Sequence, residues 1–142
     1  GQLMVYLLMG LKRKSIGVKD YVHRLEQSVI DMLGTYDVVG HRRQGALGVY
    51  VDNKKISALG IRVRKGCSYH GISINVDMDL APYNGIHPCG YPELEVTQMR
   101  EIGIEKNLVQ IADTFISCLM RQMNYSEDSI SIVNETSSDQ AA

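Results

Sequence analysis

The sequence lacks an excess of charge of either sign. Fifteen Lys and Arg stand against 16 Asp and Glu, a formal net charge of −1. That balance excludes the strong one-signed field of a nucleic-acid or anionic-membrane binder. The run Lys12-Arg13-Lys14 is too short to alter it and reads as a solvated loop, with room to dock an acidic partner. No apolar stretch reaches the ~20 residues of a membrane-spanning helix, and the first residues carry no signal-peptide pattern. Cysteine is scarce: three, at irregular spacing, exclude a disulfide framework and fit a reducing cytoplasm.

What is present is one domain's worth of chain. At 142 residues with 44% apolar and 22% charged composition, a single globular core is expected and two are not. The apolar run Leu3 to Met9 begins almost at Gly1. A core strand rarely starts two residues from a terminus, so the chain reads as a piece of something longer. Lost upstream strands would leave an unpaired sheet edge and a tendency to aggregate.

Residues 2–9 form a short continuous apolar run and read as a buried strand. From Val18 to Leu33 the positions Val18, Tyr21, Val22, Leu25, Val29, Met32 and Leu33 recur at three and four. This is one face of an amphipathic helix, with Gly34 in the C-cap position. Tyr36–Val39 and Gly48–Val51 are candidate strands around His41-Arg42-Arg43-Gln44-Gly45. Asp52-Asn53 is turn chemistry, so Val49–Val51 and Ile56–Val63 should form a hairpin. Ile56 and Ala58 share a parity that Ile61 and Val63 do not, which points to a bulge or close approach at Leu59-Gly60. Ser68–Val76 reads as a further strand. Residues 77–98 hold all three prolines (Pro82, Pro88, Pro92), and a long irregular segment of this kind is commonly functional. A second helix is expected over Glu105–Met123, with Leu108, Ile111, Ala112, Phe115 and Leu119 on one stripe. An edge strand is expected at Ser129–Val133, then a polar tail over 134–142. The order of elements argues α+β: a mixed β-sheet flanked by helices, with one domain over 1–133.

Cys89 is the most informative residue for chemistry. Pro88 and Gly90 on either side force a turn, and a thiol on a turn is accessible, whereas Cys118 sits among Ile116 and Leu119 as a structural cysteine does. An inert loop thiol is the default for one cysteine alone. Lys55 adds context, because Lys54-Lys55 leads into the apolar strand Ile56-Ser57-Ala58-Leu59-Gly60-Ile61. A lysine there usually snorkels. In a central strand, however, its amine enters a partly desolvated site of the sort a lysine base needs. His70-Gly71 interrupts another strand. A satisfied histidine is the ordinary reading, and a backbone approached closely by a ligand at Gly71 and Ser73 is the sharper one. Cys67, His70, His87 and Cys89 could together hold a structural zinc, although His-x-Cys is tighter than zinc ligands are normally spaced.

These segments together resemble the lipoyl(octanoyl) transferase family. Gly48-Val49-Tyr50-Val51 through Lys55-Ile56-Ser57-Ala58-Leu59-Gly60-Ile61-Arg62 is similar to that family's valine-rich strand and lysine strand. Cys67-Ser68-Tyr69-His70-Gly71-Ile72-Ser73-Ile74-Asn75-Val76 is similar to its His-Gly strand, and Pro88-Cys89-Gly90 with Val96-Thr97 to its nucleophile loop. Lys55 and Cys89 stand 34 positions apart (89 − 55), as the family's pair does. The likeness runs from Gly1 to about Met99. The family's upstream Arg-Gly-Gly…Tyr-His-Gly-Pro segment has no counterpart, and Gly1-Gln2-Leu3 resembles its tail end, so the domain should be incomplete at its N-terminus.

The resemblance implies the biotin/lipoate protein ligase fold, with Cys89 as acyl-accepting nucleophile and Lys55 as its catalytic partner. It implies that Ala58-Leu59-Gly60 and Gly71-Ile72-Ser73 line the acyl pocket. Gly90 and His70 are candidates for oxyanion binding or support. The implied donor is octanoyl-acyl carrier protein. The implied acceptors are lipoyl domains of 2-oxoacid dehydrogenase complexes and the glycine cleavage H protein, in the cytoplasm. No cofactor, metal, nucleic acid or membrane is implied. Two alternatives remain: an ATP-dependent lipoate or biotin ligase on the same fold, and a zinc-stabilised binding module without activity.

Overall fold

The computed structural model describes residues 1–6, 9–10, 17–60, 63–64, 67–68, 71–80 and 95–124. The expected edge strand at Ser129–Val133 and the tail lie outside them. The strands in chain order are β1 (Gln2–Tyr6), β2 (Met9–Gly10), β3 (His41–Arg43), β4 (Ala46–Val51), β5 (Lys54–Leu59), β6 (Val63–Arg64), β7 (Cys67–Ser68), β8 (Gly71–Asn75) and β9 (Glu95–Val96). The helices are α1 (Val18–Thr35) and α2 (Leu108–Met123). The main sheet runs β1-β8-β5-β4-β3, antiparallel throughout, and β9 adds to β5 in parallel. A small sheet of order β2-β7-β6 accompanies it. The fold is the expected α+β mixed sheet with helices.

Both helices lie on one face of the main sheet. Tyr21, Leu25, Val29, Met32 and Leu33 of α1 meet Ile111, Phe115, Leu119 and Met123 of α2, and both meet Val49, Val51, Ile56, Ile72 and Ile74 in one cluster. Polar ties join the helices at their rim. Arg24 Nη1 donates to the Gln122 carbonyl at 2.8 Å, and Gln122 Nε2 donates to Asp31 Oδ2 at 3.0 Å. Asn107 caps α2 through a capping box with Gln110, which satisfies end N–H groups that the helix itself cannot pair.

Gly34 does not cap α1. The helix continues to Thr35, and Asp37 takes the left-handed conformation instead, at φ +62°. The Val38 N–H reaches back to the Leu33 carbonyl and the Asp37 N–H to the Gly34 carbonyl, both at 3.0 Å. This is the Schellman arrangement, in which a short polar side chain tolerates the conformation that glycine usually supplies. Tyr36–Val39 is used up in this ending and forms no strand. The strand is His41–Arg43, which had read as a connector, and the turn after it is Gln44-Gly45.

The Asp52-Asn53 hairpin forms as expected. Both residues have positive φ, +50° and +63°, as a two-residue type I′ turn requires. The apolar run at residues 2–9 divides between β1 and β2. β1 is not fully buried: Leu3 and Val5 pack on the core, while Met4 and Tyr6 are exposed. Leu59-Gly60 carries no bulge. The β5–β8 register is even from Ser57↔Ile74 to Leu59↔Ile72, and the Gly60 N–H continues it to the Gly71 carbonyl at 3.0 Å. The change of phase reflects a change of sheet, because Val63–Arg64 belongs to the small one. Ser68–Val76 likewise divides between β7 and β8.

Phe115 is the one phenylalanine and is completely buried where α1, α2 and the sheet converge. Phe115→Ala should lower the unfolding free energy by about 3–5 kcal/mol through lost transfer energy and a residual cavity. Chemical denaturation followed by circular dichroism measures this.

Candidate active site

Lys55 is set by an irregularity in β5. Val51 pairs with Lys54 and Tyr50 with Lys55, yet Val49 pairs with Ser57, so β5 contains one residue more than β4 across this step. Residues directly opposite each other point to the same face. Carried through unbroken, the Val49↔Ser57 register would put Lys55 opposite Val51, on the apolar helix-covered face. A slip of one residue reverses every side chain. The extra residue therefore keeps Ile56 and Ser57 on the helix side and turns Lys55 to the other face, beside Tyr50.

On that face Lys55 is only 3% exposed. Its Nζ lies 6.0 Å from the centroid of the fully buried Tyr50 ring, a cation–π distance. The His41 ring stacks on Tyr50 at 6.4 Å, and the Arg43 guanidinium also lies 6.0 Å from the ring centre. Gly48 packs against the end of the lysine. A β-carbon there would come within 2.7 Å of Lys55 Cε and 2.4 Å of the Ser57 carbonyl oxygen. Gly48 has φ +129°, a conformation that only glycine adopts freely. Its N–H donates to Oε2 of buried Glu26 on α1 at 3.0 Å.

The register fixes where the other expected residues lie. Ala58 and Ser73 are paired and share the Lys55 face, with Gly71 two residues along β8. Leu59 and Ile72 are paired on the helix side and pack in the main core, so they reach the Lys55 face through their backbones alone. Gly60 is exposed and bonded to Gly71. Cys89, Gly90 and His70 lie outside the described residues, as do the side chain of Cys67 and all of His87. Among the described residues no group of three or more metal-ligating side chains occurs.

The chain on either side of residues 81–94 is firmly held. The Met78 N–H donates to Gln98 Oε1 at 2.6 Å. β9 pairs with Lys54 and Lys55, and the Thr97 N–H donates to the Lys55 carbonyl at 2.9 Å. Asn75 Nδ2 adds a bond to the Thr97 carbonyl at 3.1 Å. Cys89 stands six residues before Glu95 in the sequence, a span of at most about 22 Å fully extended.

Sequence reasoning missed Glu26 and β9. Glu26 did leave a signal, a carboxylate four residues after Val22 and three before Val29 on the apolar side of α1. β9 left none, since two residues between prolines and polar groups carry no period.

A family model described as the lipoyl protein ligase A/B catalytic domain matches residues 1–120. The chain belongs to this family. Among curated relatives, an octanoyltransferase from Shewanella sp. (strain ANA-3) is 47% identical over 127 residues, 89% of this chain and 58% of the relative. That of Thiobacillus denitrificans is 49% identical over 85% of this chain and 56% of the relative, and that of Chromobacterium violaceum 45% over 90% and 62%. The chain thus spans about three-fifths of the length of these relatives. The fold is that of biotin protein ligase from Aquifex aeolicus, with TM-score 0.71 and 19% identity over 87% of this chain and 50% of that one. It is likewise that of a lipoate-protein ligase A bound with ATP, with TM-score 0.65 and 13% identity over 81% and 51%.

Cys118, by contrast with a reactive thiol, is 1% exposed in the core of this family domain. Burial pushes its thiol above the ordinary range, partly offset by the Arg121 guanidinium and reinforced by Asp31. Since the thiolate is the nucleophile, Cys118 should resist iodoacetamide at neutral pH in the native protein and react once denaturant is added. Peptide mapping by mass spectrometry checks this.

Proposed function

We propose that the protein is an acyltransferase that moves an octanoyl group from octanoyl-acyl carrier protein to a lysine of a lipoyl domain, through a thioester on Cys89. The acceptors on this reading are lipoyl domains of 2-oxoacid dehydrogenase complexes and the glycine cleavage H protein, and the compartment is the cytoplasm. The observation that carries the reading is a buried lysine, turned off the apolar core by an extra strand residue, with the segment that follows Cys89 bonded alongside it. Octanoyltransferases as relatives at 45–49% identity support the reaction class.

In the first half-reaction Cys89 Sγ attacks the donor thioester carbon and Lys55 takes the thiol proton, then returns it to the departing carrier thiol. The gain from activating the thiol is small. A pKa near 8.5 leaves about 3% thiolate at pH 7, and lowering it also lowers nucleophilicity. The second half-reaction is harder. An acceptor lysine with pKa about 10.4 is neutral in roughly one molecule of 2,500 at pH 7, a penalty of about 4.6 kcal/mol. A neighbouring base that accepts a proton from the incoming amine relieves much of this. Lys55 is accordingly a proton carrier for both halves. N–H groups at Gly90 and along the Gly71 strand would stabilise the tetrahedral oxyanion. Ala58, Gly71 and Ser73, with the backbones of Leu59, Gly60 and Ile72, would line the acyl chain, and His70 would support the site.

Incubation with octanoyl-acyl carrier protein and no ATP should give an octanoyl adduct by intact mass, mapped to Cys89 and absent from Cys89→Ala. A strict requirement for ATP with free octanoate would instead mark a ligase. Lys55→Ala should stall transfer to the lipoyl domain by about 10²-fold or more. Lys55→Arg should not restore it, because a guanidinium does not give up its proton. Near-normal turnover by Lys55→Arg would overturn the proton-carrier role.

A further inference from the structure

We propose that Gly48 and Glu26 are positioning residues for the Lys55 amine, with Glu26 acting from α1 through the main chain of Gly48. The inference rests on the reading of Lys55 as proton carrier.

Two irregularities meet at this point of the sheet. β5 has its extra residue at Lys55–Ser57. On the opposite edge of β4, His41 pairs with Tyr50 and Arg43 with Ala46, so Leu47, Gly48 and Val49 stand against Arg42 alone. In a regular ladder a strand N–H is taken by the next strand's carbonyl. The Gly48 N–H is taken by a carboxylate from a helix. That carboxylate is buried, and a buried carboxylate is costly unless its oxygens are occupied. Oε2 takes the Gly48 N–H, and Oε1 accepts from Arg42 Nε at 3.3 Å. Arg42 is itself fixed to α1, since its Nη2 donates to the His23 carbonyl and to Gln27 Oε1, each at 3.0 Å.

Held in this way, the bulge keeps a bare Cα against the tip of Lys55. A methyl group at position 48 would overlap Lys55 Cε and stand 3.6 Å from Nζ. The space that lets the amine lie over Tyr50 thus exists because residue 48 lacks a side chain and because Glu26 holds its backbone in an extended bulge. Loss of the Glu26 acceptor frees β4 to relax toward a regular ladder, and the lysine tip moves with it. For proton transfer a displacement of about 1 Å costs on the order of 10²-fold in rate.

The test compares Glu26→Ala, Glu26→Gln, Gly48→Ala and Lys55→Ala in the octanoyl transfer assay, with kcat, KM and kcat/KM followed across pH. Competitive acetylation of Lys55 across pH, read by peptide mass spectrometry, reports on the amine without turnover. Glu26→Ala and Gly48→Ala should lower kcat by about 10²-fold with little change in KM for the donor. Both should also shift the ascending limb of the pH profile and the acetylation curve of Lys55. Glu26→Gln, which still offers an oxygen to the Gly48 N–H although it turns an NH2 toward Arg42, should keep most of kcat and stay much nearer wild type than Glu26→Ala in all of these. If Gly48→Ala does not fold, the Ala and Gln variants of Glu26 decide between them. A purely structural role would lower Tm and the folded yield of Glu26→Ala while leaving kcat and both pH curves of the folded protein at wild-type values, and would overturn the inference. Normal turnover by Lys55→Ala would instead overturn the reading on which it rests, so the two failures are distinct.

Discussion

One extra residue in β5 decides which side of the sheet the lysine occupies. Alternation along a strand is strict, so an amine can leave an apolar face only if the strand loses its phase. Here it does so between Lys55 and Ser57. The helices can then cover Val49, Ile56 and Ile72 without a charge among them, while Lys55 stays within a strand bonded on both edges. A site on a strand of this kind inherits the rigidity of the sheet.

That rigidity is shared with the segment that follows Cys89. β5 has β4 on one edge, and its other edge is divided between β9 at Lys54–Lys55 and β8 at Ser57–Leu59. Through the Thr97 N–H, the Lys55 backbone is bonded to the same stretch of chain that the nucleophile reading needs close by. Lys55 and Thr97, far apart in sequence, are thereby tied through one strand.

Much of this architecture is legible in the residues alone, and what is not has definite physical reasons. The two helices follow from period, because Leu25, Val29, Ile111 and Phe115 recur on one stripe, and the β4–β5 turn follows from Asp52-Asn53. β3 was hidden because His41-Arg42-Arg43 lies on the edge with charged side chains and no apolar alternation. The α1 ending was misplaced because Asp37 performs the role that Gly34 advertised. The bulge itself cannot be read from β5, since register is a property of a pair of strands, and the parity break that was visible at Leu59-Gly60 marked a change of sheet. Lys55 was legible as a lysine entering a core strand. The roles proposed for Cys89, Gly90 and His70 rest on family resemblance, because nothing in their spacing distinguishes a nucleophile loop from an inert one.

The parallel pairing of β9 has a consequence for assembly. Without it the backbone at Lys54–Lys55 would be a gap in the middle of the sheet, flanked by β8 and open to any extended segment of matching length. Unsatisfied strand edges are where foreign chains attach. By filling that slot, Glu95 and Val96 close the strand that carries Lys55 to neighbouring molecules.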